Sequence, residues 1–291
     1  MKLFNRFCAN WNHMRGISLL KRAAKADPKK ALGFYQAAFE RFYRAVIRNP
    51  DFFHAHLSWA HGLYNQARKL ESKQQWKTYQ KACEQYEQAN RLEPGDFEPL
   101  KFWALSLRGL AQNKREKVPD RCYWQAYEKL EKAGSIEDPD NDSFYHWALT
   151  LYQQARNQDP EHARLLLQEA CEKFSRASER PNPRPDTYND WGVALLALAS
   201  LSDGEDRRFY LSEARSKCLE AETIKTGFAS YNLACIASLS GDVENCRRHL
   251  ETARAQLKIP SPGHLENDPD FKNVRRTDWF KEFAAKVREE F

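Results

Sequence analysis

Bulky and small apolar residues recur along this chain at one long, constant step. Trp59, Trp103, Trp147 and Trp191 follow one another every 44 residues. A small residue comes directly after each: Ala60, Ala104, Ala148 and Gly192. Leucine stands four positions beyond the indole, at Leu63, Leu107, Leu151 and Leu195, and alanine eight beyond, at Ala67, Ala111, Ala155 and Ala199. Later in each copy come Ala82, Ala126, Ala170 and Ala214, then Tyr86, Leu130, Phe174 and Cys218, then Ala89, Ala133, Ala177 and Ala221. Offsets of 0, 4 and 8, and of 0, 4 and 7, put these residues on one face of a helix in each half copy. Self-similarity at such a period is the mark of stacked repeats.

Polar and helix-breaking residues punctuate the pattern. Glu71-Ser72-Lys73, Val118-Pro119-Asp120, Gln158-Asp159-Pro160 and Ser202-Asp203-Gly204 separate the two halves of each copy. Asn49-Pro50-Asp51, Glu93-Pro94-Gly95-Asp96, Asp138-Pro139-Asp140 and the stretch Pro181 to Pro185 separate the copies. Each copy is thus predicted to be an antiparallel helix pair, A then B. Asp51, Asp96 and Asn141 or Asp142 are expected to cap the A helices. Small residues let A and B approach while the bulky ones fill the space beside them. One pair cannot cover its own apolar flank, so neighbours must stack.

The register runs outward in both directions. One step before the first copy stand Gly16, Leu19, Ala23, Ala38, Phe42, Ala45 and Pro50, with Arg15 in the tryptophan place. A degenerate end copy suits a cap whose outer side meets water. At the other end Leu233, Ala234, Cys246, Leu250 and Ala253 form a more compact pair closed by Ser240-Gly241-Asp242. The expected organisation is a basic N-terminal capping repeat over 1–50, four 44-residue pairs over 51–225, a compact repeat over 226–260 and a C-terminal cap over 261–291, in one continuous domain.

Composition supports this reading. Apolar residues make up 42% of the chain, enough for a sizeable core, and glycine is scarce at 11 residues. No stretch has the roughly 18 uncharged apolar residues of a membrane span. Net charge is +6, from 46 basic and 40 acidic residues. Residues 1–50 carry eleven Lys/Arg against Asp27 and Glu40, so their balance is 11 − 2 = +9 and the remainder holds 6 − 9 = −3. Seven cysteines, an odd number without a C-x-x-C pair, read as reduced thiols packed in helices, which suggests a cytoplasmic protein.

These residues resemble a tetratricopeptide repeat array. Ala82, Tyr86, Ala89 and Pro94, and equally Ala38, Phe42, Ala45 and Pro50, match that family's small–aromatic–small–proline B-helix pattern. Residues 229–258, with Tyr231-Asn232-Leu233-Ala234-Cys235 and Gly241-Asp242, resemble its usual 34-residue unit. The run His264 to Phe271 is similar to the closing segment of bacterial arrays. The resemblance implies an all-α, right-handed solenoid of antiparallel helix pairs, about six repeats with a C-terminal capping helix. The ten extra residues in each 44-residue copy depart from the family and imply longer helices, a longer A–B turn, or both.

The same resemblance implies a non-enzymatic adaptor or scaffold that binds a protein or peptide segment in a concave groove of A helices. The family's groove positions fall on three columns: Leu57, Lys101, Tyr145, Asn189; His61, Leu105, Leu149, Val193; and Tyr64, Arg108, Tyr152, Leu196; one turn further lie Arg68, Gln112, Arg156 and Ser200. Tyr64, Tyr152, Arg68, Arg108, Arg156 and Lys101 would suit an extended partner with acidic and apolar side chains; alternatively the tyrosines pack between repeats. The five-residue carboxylate clamp of the chaperone-binding subgroup is not reproduced, since Leu105 replaces a required asparagine beside Lys101.

Catalytic signatures are absent: there is no phosphate loop, nucleophile elbow or dinucleotide fingerprint, and no paired carboxylates. His54, His56 and His61 cluster in sequence, but no further ligands are spaced to complete a metal site. No cofactor is expected. Two further surfaces are suggested. Leu3, Phe4, Phe7, Trp11, Met14 and Ile17 form an apolar stripe among Lys2, Arg6, Arg15, Lys21, Arg22 and Lys25. It suits helix A of the capping repeat, or an attachment of the N-terminal 50 residues to an anionic membrane surface or nucleic acid. Trp279, Phe280, Phe283 and Val287 near the end either mediate self-association or seal the last repeat.

Overall fold

The computed structural model describes residues 2–113, 119–136, 142–180, 182 and 184–290. Among these there are fourteen α-helices, one short 3-10 turn and no strand. Contacts divide the chain into two compact units, Met1–Thr150 and Leu151–Phe291. In the first, α1 (Lys2–Lys25) packs on α2 (Pro28–Arg48), α3 (Phe53–Ala67) on α4 (Ser72–Leu92), and α5 (Phe97–Ala111) on α6 (Pro119–Ser135). Each B helix also meets the next A helix: α2 packs on α3 and α4 on α5. Helix α7 (Asp142–Ala155) spans the division. In the second unit α8 (Pro160–Ser178) packs on α9 (Pro185–Ser200), α9 on α10 (Gly204–Ile224), and α11 (Ser230–Leu239) on α12 (Val243–Ala255). Then come α13 (Pro262–Asn267), the 3-10 turn Pro269–Phe271 and α14 (Asp278–Glu290). The fold is an all-α solenoid of stacked helix pairs.

The extra residues of the long repeats lengthen the helices. A helices of 15 residues in α3 and α5 and 16 in α9 contrast with 10 in α11. B helices of 21, 19 and 21 residues in α4, α8 and α10 contrast with 13 in α12.

The repeat columns form the core. Tyr86, Leu130, Phe174 and Cys218 are fully buried, as are Ala60, Ala104, Ala148, Ala82, Ala126, Ala170 and Ala214. The cap follows suit with Ala23, Ala38, Phe42 and Ala45. A Cβ on Gly16 would lie 2.6 Å from Phe42 Cε1, so only glycine lets α1 sit this close to α2. The four indoles are half-buried rather than enclosed. Lys129 Nζ covers the Trp103 ring at 4.7 Å and Lys217 Nζ the Trp191 ring at 4.3 Å. The fully enclosed aromatic rings of the repeats, Phe42, Tyr86 and Phe174, therefore come from the B helices, while the A helices add Leu100, Leu151 and Leu198.

Helix starts differ from expectation in one place. Asp96 caps α5 and accepts from Glu98 N–H at 2.8 Å, and α7 begins at Asp142; Asn141 lies outside the described residues. Asp51 is not the cap of α3: Phe52 holds that position, without a side-chain bond. Asp27, Asp159 and Asp242 instead cap the B helices α2, α8 and α12, the first two with a proline directly behind them. The α10–α11 turn is organised by Glu222, whose carboxylate accepts from Gly227 N–H at 2.6 Å, Ala229 N–H at 2.7 Å and Ser230 Oγ at 3.0 Å.

The end of the second unit corrects the self-association reading. Phe280, Phe283 and Val287 of α14 are buried against Leu265, Phe271 and Val274, and Trp279 packs at the rim. Their apolar surface is spent closing the last repeat. Tyr231 Oη donates to Asp268 Oδ2 at 2.7 Å and Ser238 Oγ to the Asp270 carbonyl at 2.7 Å, tying the closing segment to α11.

Candidate functional site

Leu57, His61, Tyr64 and Arg68 lie at intervals of four, three and four on α3 and its C-cap, hence on one helical face. The structure divides them by depth. Leu57 and Tyr64 are buried in the core cluster of the first unit, His61 is half-buried and Arg68 is exposed. Tyr64 packs against Tyr79 of α4 at 6.1 Å and Phe102 of α5 at 5.6 Å between ring centroids. It therefore joins neighbouring repeats, and Arg68 rests over its ring at 5.8 Å.

His61 is held from two sides. Its Nδ1 is 2.9 Å from Tyr86 Oη and its Nε2 is 3.4 Å from Glu98 Oε1, while the ring meets Phe102 edge-on at 4.6 Å. The tautomer that serves both contacts carries its hydrogen on Nε2 and accepts the Tyr86 hydroxyl at Nδ1. The His61 hydrogen bond holds the Glu98 carboxyl below its ordinary range, and burial pushes the Tyr86 phenol well up. His56 is buried and engaged by Gln85 at 2.9 Å and the Pro50 carbonyl at 3.0 Å, whereas His54 is exposed. The three histidines thus face different surroundings and share no ligand geometry.

On α5, Lys101 is half-buried with Nζ 3.8 Å from Asp142 Oδ2, and it lies over the rings of Phe97 at 5.1 Å and Phe102 at 5.4 Å. Its charge is already answered. Arg108 is half-buried, and its Nη1 has neither exposed surface nor a hydrogen-bond partner among the described residues. Burial lowers the guanidinium below its ordinary value, while the phenol groups of Tyr64, Tyr145, Tyr79 and Tyr123 favour its charge. Tyr145 is half-buried at the start of α7.

In the second unit Tyr152 is half-buried and its phenol is pushed up by burial, with Arg156 acting in the other direction. Arg156 is exposed. Asn189 donates to Asp190 at 3.1 Å and accepts from Asn232 Nδ2 at 2.8 Å, so it bridges α9 and α11. Sulfur and carboxylate oxygens of Cys235, Asp268 and Asp270 approach within 4.8 Å of one another. Asp268 already receives the Tyr231 hydroxyl, and this group belongs to the closure of the last repeat.

One feature of the first unit has no counterpart in the repeat columns. A cavity of about 420 Å³ is lined by Leu20 and Ala24 of α1, Tyr35 of α2, Gly62 and Asn65 of α3, and Arg68 and Lys69 directly after it. Lys69 Nζ lies over the Tyr35 ring at 5.9 Å. Gly62 keeps the Leu20 and Phe39 side chains only 3.0 Å from where its Cβ would be. The cavity arises where the degenerate first repeat meets the first full one. Its partners are far apart in sequence, so only Arg68 was legible as a candidate. Of the basic N-terminal residues, Arg6, Arg15, Lys21, Arg22 and Lys25 are exposed; the Lys2 side chain lies outside the described residues.

Stacked antiparallel pairs with this small–bulky register define a tetratricopeptide-type repeat fold. The structure is similar to that of the MamA protein, with a TM-score of 0.52 at 13% identity over 76% of this chain and 95% of that one. It is similar also to PilF of Pseudomonas aeruginosa, with a TM-score of 0.54 at 15% identity over 97% of this chain and 99% of that one. A human IFIT1 dimer with m7Gppp-AAAA gives 0.52 at 16% identity over 97% of this chain and 58% of that one. No family model and no curated protein matches the sequence. No helix among the described residues is long and apolar enough to cross a membrane.

Proposed function

We propose that this protein is a non-enzymatic adaptor that holds a segment of a partner protein on its A helices. The observation that carries this reading is the cavity beside α3, in which Arg68 and Lys69 stand at the edge of a surface made by Leu20, Ala24 and Tyr35. Two cations next to apolar wall suit a segment with an acidic side chain and an apolar neighbour. Arg68, resting on Tyr64, is pre-organised for a carboxylate, because a guanidinium on an aromatic face loses little freedom on pairing. Tyr145 in the first unit, and the exposed Arg156 with Tyr152 in the second, offer similar chemistry, whereas Arg108 is too enclosed to contribute its charge. The seven free thiols support a reducing, cytoplasmic setting.

The test is affinity capture with identification of the bound protein, using the full chain and an Arg68→Glu/Lys69→Glu variant. A partner retained by the wild type should be lost by the variant and kept by a control, Arg208→Glu, on an exposed part of α10. Equal retention by all three chains would remove α3 from the binding face.

A further inference from the structure

Helix α1 has two apolar sides. One buries Ala9, Gly16 and Ala23 within the capping pair. The other carries Leu3, Phe4, Phe7, Trp11 and Met14, which at 100° per residue fall within an arc of about 100°. They are exposed to 83%, 65%, 69%, 45% and 64%. Apart from the half-buried Ile17, the stripe expected from sequence is thus part of helix A of the cap and yet is not what packs into it. Across a groove of about 570 Å³, α2 adds the exposed Ile47.

We infer that this face lies on an anionic lipid surface. Charge complementarity points to that occupant. Along the same arc the apolar residues give way to Lys21, Arg22 and Lys25 in the last two turns of α1, all exposed. The only acids of the first fifty residues are already used: Asp27 caps α2 and meets Lys30 at 3.3 Å, and Glu40 takes Arg44 at 2.8 Å. The guanidiniums of Arg15 and Arg41 lie 4.9 Å and 5.3 Å from the Trp11 ring centre, which sets an indole and two cations at one level, as at a headgroup boundary. The four most exposed members, Leu3, Phe4, Phe7 and Met14, offer a nucleic acid nothing to hydrogen-bond, and Leu3 and Met14 present no aromatic face on which a base could stack. Two copies of so basic a face would repel each other across a symmetric contact. This inference does not depend on the cavity beside α3.

Flotation of the full chain with vesicles tests it. Binding is expected to an equal mixture of phosphatidylcholine and phosphatidylglycerol at low ionic strength, to be absent on phosphatidylcholine alone, and to weaken as salt is raised. Phe4→Ser/Phe7→Ser should reduce partitioning about a hundredfold, since two exposed aromatic rings lose their burial in lipid. The fluorescence difference between wild type and Trp11→Phe should move to shorter wavelength on binding. Because these side chains are exposed, circular dichroism of the variants should be unchanged. No binding to the mixed vesicles, or undiminished binding by the double variant, would overturn the inference. So would a dimer that the double variant dissolves in sedimentation, or single-stranded RNA that displaces the vesicles and binds the double variant equally well.

Discussion

Replacing Gly192 with alanine probes the close helix approach on which the stack depends. A Cβ there would sit 2.5 Å from Cys218 Sγ and 3.3 Å from the Ala214 carbonyl oxygen. Unstrained heavy-atom contacts lie near 3.5–4.0 Å, so about an ångström must be recovered by moving α9 against α10. Cys218 is fully buried, so its Sγ cannot swing out into solvent. Overpacking of this kind costs about 1–3 kcal/mol. Alanine returns about 1 kcal/mol through its better helix propensity. The expected net loss is about 1 kcal/mol, the difference of those two effects. In a Cys218→Ala background the 2.5 Å contact is gone and only the 3.3 Å approach to the Ala214 carbonyl remains, so the same substitution should become neutral or stabilising, giving a coupling of about 1–3 kcal/mol in the double-mutant cycle. Urea titrations read by circular dichroism measure each corner, and hydrogen exchange at α9 and α10 amides localises the loss, since repeat arrays can open in parts. If Gly192→Ala stabilises the otherwise unaltered chain by the full propensity gain, or if the two substitutions add within about 0.3 kcal/mol, the close packing of this pair is wrong.

Other expectations follow from single contacts. Phe174→Ala empties a fully buried position in α8 and should cost about 3–5 kcal/mol in the same urea titration, against less for the half-buried Trp191→Ala. Glu98 has its carboxyl lowered from 4.5 by the His61 hydrogen bond, so its stabilising contribution is complete above that pH and is lost as pH falls through the lowered folded value. The stability advantage of wild type over Glu98→Gln should therefore shrink only in that acid range, and a constant difference down to strongly acidic pH would refute the contact. Burial pushes the thiols of Cys171, Cys218 and Cys246 up to about 12 and raises that of Cys235 well above its ordinary value. A thiol reagent at pH 8 should label the native chain rapidly at Cys8, beside the N-terminal groove, and reach the buried Cys122, Cys218, Cys235 and Cys246 only on unfolding.

The repeat itself was readable in the amino acids because each column answers a local requirement that recurs every 44 residues. A position that must admit a neighbouring backbone tolerates only Ala or Gly, and a position that must fill the gap takes Tyr, Leu or Phe. Ala60 with Tyr86 and Gly192 with Cys218 are two solutions of one constraint, and all four are buried as the pattern requires. The helix pairs, the breaks between them and the compact last repeat follow from the same periodicity.

Tertiary structure decided what periodicity is blind to. A helical face can be apolar because it packs or because it meets another medium, and spacing does not distinguish the two. Tyr64 turned inward to join repeats, the α14 aromatics closed the core, and the α1 stripe turned outward although its helix belongs to the cap. The cavity at Leu20, Tyr35 and Arg68 depends on where an irregular first repeat meets a regular second one, a junction that no repeating column describes. Lys101 was claimed by Asp142 through a fold contact between residues 41 positions apart. Depth and charge pairing are properties of the assembled helices, and composition along the chain constrains them only through the hairpin that each copy forms with its neighbours.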